Sequence, residues 1–387
     1  NRIDPSCDLY GFCGGCQLQH ITYEGQLSLK TQKVKDVIER IGHQNPDLVK
    51  PVLGPKDPWS YRNKMQMPVG GIKGDVQMGF YAMGSHDIVQ GTNCPIQDEG
   101  NNIIAQACYQ IAKEFDIEPY DEHTGKGVLR HVIGRIGQSG WMIILVTATE
   151  HLPNQEKWVE KLTERAPQVE TIVHNVNGKR TNVILGPKNS VLYGDGTITD
   201  HIKDLQFTLS PHSFFQVNPE QTTVLYDQAL EYADLKGNET VIDAYCGTGT
   251  ISLFLAHKAK HVIGIEIVEP AIINARENAR HNGYDNTEFI VADAAVEMPK
   301  LYKAGVRPDV IVFDPIRAGC KEEVLTSAAG MEPKRIVYVS CNPATMARDI
   351  EILTHYGYEL QEVQPVDMFP MTAHVEAVAL LTRNEET

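Results

Sequence analysis

Two residues in this sequence have types and neighbours suited to nucleophilic and proton-transfer chemistry. Cys341 lies in Val339-Ser340-Cys341-Asn342-Pro343, just past an apolar run and before a helical pattern. Asn-Pro shapes a turn that exposes the side chain before it, and a thiol near a helix N-terminus is expected to have its thiolate favoured. Glu376 closes the stretch Phe369-Pro370-Met371-Thr372-Ala373-His374-Val375-Glu376 and opens the apolar run Ala377-Val378-Ala379-Leu380-Leu381. A carboxylate in such surroundings is expected to have a raised pKa and can accept a proton. Taken singly, each residue has a plainer reading. Most free cysteines are small buried hydrophobes, and a carboxylate at a strand end is commonly solvated.

A third feature changes that balance. Asp243-Ala244-Tyr245-Cys246-Gly247-Thr248-Gly249-Thr250 ends one β pattern and opens a helix. Glycines there let backbone approach a ligand at the helix N-terminus. Glu266 ends the next strand, where an acid commonly binds ribose hydroxyls. Asp293 and Asp314 end the third and fourth strands and face the same crevice. The dinucleotide pattern lacks its third glycine, because Ser252 stands there. The expected cofactor is therefore S-adenosylmethionine rather than a pyrophosphate carrier.

One thiolate, one base and one methyl donor are what methylation of uracil at carbon 5 requires. That carbon is a poor nucleophile. A soft thiolate adding at carbon 6 converts the ring to an enolate, which can take a methyl group. The carbon-5 proton then leaves and the thiolate is expelled.

The elements that must position these residues follow from hydrophobic periodicity. Residues 1–20 are irregular and rich in Cys and Gly. Residues 21–50 hold an amphipathic helix with Leu27, Val34, Val37, Ile38 and Ile41 on one stripe and Gly42 as its stop; it is expected to pack on the catalytic domain. Residues 51–205 read as a mainly antiparallel α+β domain with one helix near 98–115. From 206 to 387 strands and helices alternate, which implies a parallel, doubly wound α/β sheet. Its last two strands share no helix, so one of them is expected to run antiparallel.

Bulk composition pulls the other way. The 387 residues carry 35 Lys and Arg against 50 Asp and Glu, a net charge of −15. A nucleic-acid binder is usually basic, so the motifs have to outweigh the charge. The best local basic spots are Tyr61-Arg62-Asn63-Lys64 and the stretch with Arg130, His131 and Arg135. Each alone reads more simply as a solvated face. No apolar run reaches the ~18 residues of a membrane span, and no secretory signal is expected from the opening residues. A cytoplasmic, monomeric protein is expected. Of eight cysteines, Cys7, Cys13 and Cys16 are spaced Cys-x5-Cys-x2-Cys, and Cys94 precedes Pro95. Four thiolates can hold zinc or an iron–sulfur cluster.

The stretches SFFQVNPEQT (213–222), DAYCGTGT (243–250), FDPIRAG (313–319), VSCNPATMARD (339–349) and FPMTAHVE (369–376) occur in the order found in a known family. The chain resembles the RNA uridine carbon-5 methyltransferases of the RumA/RlmD/TrmA type across nearly its whole C-terminal half. The resemblance implies a Rossmann-like methyltransferase domain, Cys341 as nucleophile and Glu376 as base. It implies Gln216, Tyr245, Glu266 and Asp314 as S-adenosylmethionine contacts, with Asp293 beside them. It also implies a 4Fe-4S cluster on Cys7, Cys13, Cys16 and Cys94, in a structural role. That cluster marks the branch acting on 23S ribosomal RNA of the large subunit, with the target uridine flipped out and Phe214 able to stack on it. The family usually carries an N-terminal TRAM domain, expected to be missing from a sequence that opens at Asn1. Ile316 stands where the family often has a second proline, and Met371 where a polar residue is common.

The same reaction on tRNA is one alternative, and a catalytically idle RNA-binding module is another. Cytosine carbon-5 enzymes typically place Pro before the thiol, where this chain has Ser340. Amino-group methylases need an aromatic residue that Asp314-Pro315-Ile316-Arg317 lacks.

Overall fold

The computed structural model describes residues 1–384 and divides them into two compact units that interleave along the chain. The first joins Asn1–Thr22, Asp57–His201 and Phe207–Pro219; the second joins Tyr23–Lys56, Ile202–Gln206 and everything from Glu220 onward. Helix α1 (Tyr23–Arg40) therefore belongs to the second unit, although it follows the cysteine-rich start. Val34 and Ile38 of its apolar stripe are fully buried in that unit's core, with Leu27 and Val37 packed against it.

The first unit is built on a sheet of β1 (Lys64–Ile72), β2 (Asp75–Tyr81), β3 (Ile88–Gln90), β4 (Leu129–Ile136), β5 (Trp141–Thr147), β6 (Val169–Val176) and β7 (Lys188–Tyr193). Their spatial order is β3-β2-β1-β4-β5-β6-β7. Helices α2 (Glu99–Glu114) and α3 (Gln155–Arg165) share its core, in which Ile104, Ile111, Val132, Leu145 and Trp158 are fully buried. Sequence reading found only the first of these helices. Helix α3 is missed because nearly all of QEKWVEKLTER is polar. Its core face is reduced to Trp158 and Leu162, one turn apart. The same helix explains why β5 and β6 pair in parallel while the rest of the sheet is antiparallel, since parallel neighbours need a crossover. A hairpin of β8 (Ile198–Ile202) and β9 (Leu205–Leu209) follows.

The second unit continues with α4 (Pro219–Ala233), β10 (Thr240–Ala244), α5 (Thr250–Ala256), β11 (His261–Glu266), α6 (Glu269–His281), β12 (Thr287–Val291), α7 (Ala294–Lys303), β13 (Val310–Phe313), α8 (Glu322–Gly330), β14 (Arg335–Ser340), α9 (Pro343–His355), β15 (Tyr358–Val366) and β16 (Glu376–Arg383). The strands are ordered β12-β11-β10-β13-β14-β16-β15. Strands β10 to β14 pair in parallel. Strand β16 is antiparallel to both its neighbours, β14 and β15. The strands are apolar on both faces, as a sheet covered by helices requires: VIVF of β13 is buried throughout. This is the α/β methyltransferase-type sheet expected from sequence, with its one reversed strand identified as β16. The outer strand β15 is flanked by the 49–53 segment through bridges Val49↔Val363 and Leu53↔Val366. Among the described residues, no helix is long and apolar enough to cross a membrane.

Candidate active site

Parallel strands β10 to β14 end at one edge of the second unit's sheet. Ala244 of β10 pairs with Phe313 of β13, so Tyr245 and Asp314 emerge side by side where the strand order reverses. Open α/β sheets bind ligands at that switch point. Tyr245, Gly247 and Gly249 all have positive φ, at 67°, 55° and 80°. A side chain on Gly249 would press on the Phe289 ring and Ala275 at 3.0–3.3 Å, whereas Gly247 faces open space. Glu266 spans this turn, accepting from the backbone N–H of Gly247 at 3.2 Å and of Val268 at 2.9 Å. Ile267, beside it, is 63% exposed, and Val268 and Val296 are exposed too. Apolar surface next to an oriented carboxylate suits a nucleoside, with the base on the former and the ribose on the latter. Tyr245 shares a hydrogen bond with the Cys320 thiol, and burial followed by that thiol pushes its hydroxyl pKa up. Asp293 is less free than expected. It caps α7 through Ala295 N–H at 2.9 Å and pairs with Lys321 at 2.9 Å, and these contacts hold its pKa down.

The reversed strand brings the two reactive candidates together. Ser340, the last residue of β14, pairs with Ala377 of β16. Cys341 and Glu376 are the next residues outward on each strand. Glu376 is buried, and burial first, then Asp314, pushes its pKa up to about 8 against the pull of Arg317. Asp314 is partly open to solvent, but desolvation of its carboxyl raises it to about 7. The Cys341 thiol also titrates above its ordinary value. Burial is the main cause, Glu376 and Asp314 add to it, and Arg317 opposes them. The expected thiolate-favouring effect of the helix N-terminus is thus outweighed. Cys341 precedes the α9 cap, Asn342, which spends its side chain on Ala344 N–H at 3.2 Å. Two carboxyl groups lie on the other side. Sequence reading gave Arg317 no role, although it lies in a quoted motif; the need for a cation beside a thiol and two acids was the available signal. The fully buried Asp243 was likewise passed over; it accepts from Ser252 Oγ at 2.5 Å and is pushed up to about 7 by burial.

Other candidates lie in the first unit. Gln216 is half-buried in the 207–219 segment, which is held by Asn63 N–H on Val217 O at 2.9 Å and by Arg135 on Ser213 O. Phe214 in the same segment is 69% exposed. Cys7, Cys13, Cys16 and Cys94 are half-buried free thiols. Cys16 is pushed up to about 12 by burial, countered by a hydrogen bond from Gln19 and raised further by Cys94, Cys13 and Cys7. The four therefore sit within electrostatic reach of one another. Gly15 N–H donates to Cys13 Sγ at 3.4 Å, and Ile96 and Gln97 N–H groups face the Cys94 thiol. Asn102 of α2 grips the Cys94 backbone at both N–H and C=O. Among the described residues no three His, Cys, Asp or Glu side chains form a group placed to hold a metal ion.

Of the basic spots, Arg130 is structural. It is buried over the Tyr120 ring and donates to the carbonyls of Asn177 at 2.5 Å and Lys179 at 2.8 Å. His131 is buried and lowered to about 4. Lys64 differs: burial, then Arg135 and Arg62, lower it to about 7, with no acid among its influences.

The family model described as tRNA (Uracil-5-)-methyltransferase matches residues 142–384. An uncharacterized RNA methyltransferase of Bacillus cereus is 54% identical over 387 residues, covering 100% of this chain and 84% of that protein. One from Halalkalibacterium halodurans is 52% identical over 383 residues, covering 98% and 84%. The crystal structure of Pyrococcus abyssi tRNA (uracil-54, C5)-methyltransferase in complex with S-adenosyl-L-homocysteine superposes with a TM-score of 0.78 at 28% identity, covering 96% of this chain and 86% of that one.

The raised pKa of Glu376 makes a stability prediction. The folded protein holds that proton up to about pH 8, whereas the unfolded chain releases it near the ordinary glutamate value of about 4.3. Stability is therefore lost as pH rises between those values. Glu376→Gln should match the parent at pH 5 and exceed it at pH 9 by on the order of 2–4 kcal/mol. Urea unfolding at the two pH values measures this, and an equal difference at both would contradict the burial assigned to Glu376.

Proposed function

The chain belongs to the tRNA (uracil-5-)-methyltransferase family, S-adenosylmethionine-dependent enzymes that methylate uracil in RNA, and we propose that it modifies a uridine of 23S ribosomal RNA through a covalent bond to Cys341. The observation that carries the reading is the strand register that sets Cys341 beside Glu376, with Asp314 near both.

S-adenosylmethionine, when bound, supplies an electrophilic methyl group; Glu266, Tyr245 and Asp314 are the residues of the second unit that would hold it, with Asp293 at the margin. The chain's own steps are these. Cys341 gives up its proton to Asp314 and adds to carbon 6, the ring's double-bond electrons move toward its carbonyl oxygen, and Glu376 stays ionised through this step. After carbon 5 has been methylated, Glu376 takes the carbon-5 proton. The released electron pair restores the double bond and expels the Cys341 thiolate. A base with a pKa near 8 is matched to a carbon acid acting near neutrality. Phe214, in the first unit, presents an exposed aromatic face suited to stacking on RNA bases.

The four thiols of the first unit are the reason for preferring ribosomal RNA and for proposing a 4Fe-4S cluster. Burial first, and neighbouring thiols after it, raise Cys13, Cys16 and Cys94, which a bound cluster would reverse. Backbone N–H groups facing Cys13 and Cys94 support thiolates there. Cys7, Cys13, Cys16 and Cys94 would hold the cluster, and its contribution would be a cross-link between the N-terminal segment and the loop before α2. The tRNA reading is favoured by the Pyrococcus enzyme, whose described substrate is a tRNA uracil. A catalytically idle module is disfavoured by the presence of both Cys341 and Glu376. Cytoplasmic action as a monomer accompanies this proposal.

Cys341→Ala should give no methylation and no covalent complex, while Glu376→Gln should add and methylate but accumulate a methylated protein–RNA adduct stable on denaturing gels. Normal turnover by Glu376→Gln would move the base role to Asp314. Mapping of 5-methyluridine in cells lacking the protein should show the loss in 23S RNA, and a loss confined to tRNA would establish the other substrate. Anaerobically purified protein should be brown with about four irons per chain; stoichiometric zinc would exclude the cluster. Lys64, which no acid pairs among the described residues, should be an RNA phosphate contact: Lys64→Glu should weaken RNA binding on a filter assay by roughly tenfold or more at low salt, less at high salt, with cofactor affinity unchanged.

A further inference from the structure

The apolar stripe of α1 accounts for only part of its buried surface. A second stripe, Tyr23, Gln26, Lys30 and Lys33, recurs at the i, i+3, i+7, i+10 spacing of one helix face and is polar. Gln26 and Lys30 are nonetheless buried. All four side chains reach one target, the connection between β15 and β16. Lys30 Nζ donates to Asp367 Oδ1 at 2.6 Å and to Phe369 O at 3.1 Å. Tyr23 OH donates to Asp367 Oδ2 at 3.0 Å. Gln26 accepts from Met371 N–H at 3.0 Å and donates to Met371 Sδ at 3.2 Å. Lys33 Nζ donates to Ala373 O at 2.9 Å. Met371, the centre of this grip, has φ +68°, a conformation that a non-glycine residue keeps only where its surroundings enforce it. Thr372 Oγ caps the same turn on Phe369 O at 2.8 Å and receives His374 N–H at 3.2 Å.

Burying an ammonium and a carboxylate together is a poor route to stability, since desolvation offsets most of their attraction. Burial indeed holds Lys30 below its ordinary pKa and Asp367 above its own. An apolar pair would fill the space at no such cost. What it would not do is hold the loop backbone at Phe369, and the residue that this loop leads into is Glu376.

We propose that the polar face of α1 is a positioning clamp for the proton-abstracting carboxylate, with Lys30 and Asp367 as positioning residues that set where Glu376 lies relative to Cys341. The inference rests on the reading of Glu376 as base. It separates the two halves of the reaction. Thiol addition uses Cys341, which is carried by β14 and α9. Adduct resolution uses Glu376, the first residue of β16, where the clamped loop ends. Loss of the clamp should slow resolution and leave addition in place, and misplacement on the scale of an ångström costs on the order of a hundredfold in rate.

The test uses the full chain, S-adenosylmethionine labelled in its methyl group, and total RNA from cells lacking the protein. Lys30→Met/Asp367→Leu replaces the pair by apolar groups and should keep or raise the thermal midpoint. It should still form a methylated adduct that survives denaturing gels, resolving it at least tenfold more slowly than the parent. Lys33→Ala removes only one exposed donor and should fold; it should accumulate the same adduct to a smaller extent. Lys30→Arg, which retains the charge, should recover resolution partly. If Glu376→Gln traps adduct while the folded double variant and Lys33→Ala both turn over as the parent does, the stripe is structural only and the inference fails alone. If Glu376→Gln itself traps nothing, the reading of the base fails and takes the clamp with it.

Discussion

The site depends on one strand running the wrong way. Strand β16 lies between β14 and β15 and opposes both. A parallel strand in that place would present its last residue at the ligand-binding edge, with its first roughly 23 Å away at ~3.3 Å per residue. Reversal puts the first residue there, so a carboxylate at the start of one strand can meet a thiol at the end of another. The ladder hydrogen bonds from Ser340↔Ala377 to Arg335↔Thr382 then hold the pair in register without needing any direct bond between the two candidate side chains.

The same edge concentrates charge in a poorly solvated place. Asp243, Asp314 and Glu376 are all raised by burial to between about 7 and 8. A sheet built for stability alone would not accept three such carboxyls. The surrounding core offsets them: Ile242, Ile311, Phe313, Ile336 and Tyr338 are fully buried, and each apolar side chain of that size contributes roughly 1.5–3 kcal/mol on burial. Polar satisfaction does the rest. Asp349, also fully buried, is shared by Tyr338 OH at 2.5 Å, Cys320 N–H at 2.8 Å and Arg348 at 2.6 Å. This network reaches the Tyr245 hydroxyl through the Cys320 thiol.

Much of this was legible in the sequence wherever one local signal sufficed. Alternating β and α patterns reveal the doubly wound sheet, and the residues ending each strand are readable because apolar runs stop there. The pair of final strands without a helix betrays a reversal, though not which strand is reversed. Three kinds of information were hidden. Helix α3 shows almost no apolar stripe, so periodicity is silent about it. The pKa of Cys341 depends on Glu376 and Asp314, which are far from it along the chain and act only once folded; helix-terminus reasoning alone points the wrong way. The polar stripe of α1 looks like a solvated face, because nothing near Lys30 in sequence announces a partner as distant as Asp367. The basic stretches divide similarly. Arg130 finds carbonyls to bind and is consumed by the fold, whereas Lys64 is left among other cations.

The interleaving of the two units has a consequence for the ribosome that makes this chain. Lys30 and Asp367 are separated by 337 residues. At about 5–20 residues per second, α1 leaves the exit tunnel roughly 20–70 s before the loop it must grip has been synthesised. Throughout that interval the first unit can complete its own sheet, while an 18-residue helix, marginal by itself in water, waits with Gln26 and Lys30 unburied. The segment proposed to orient the last chemical step is therefore made long before the loop it grips, so nascent chains stalled before β16 would carry an open, uncommitted α1 for chaperones to shield.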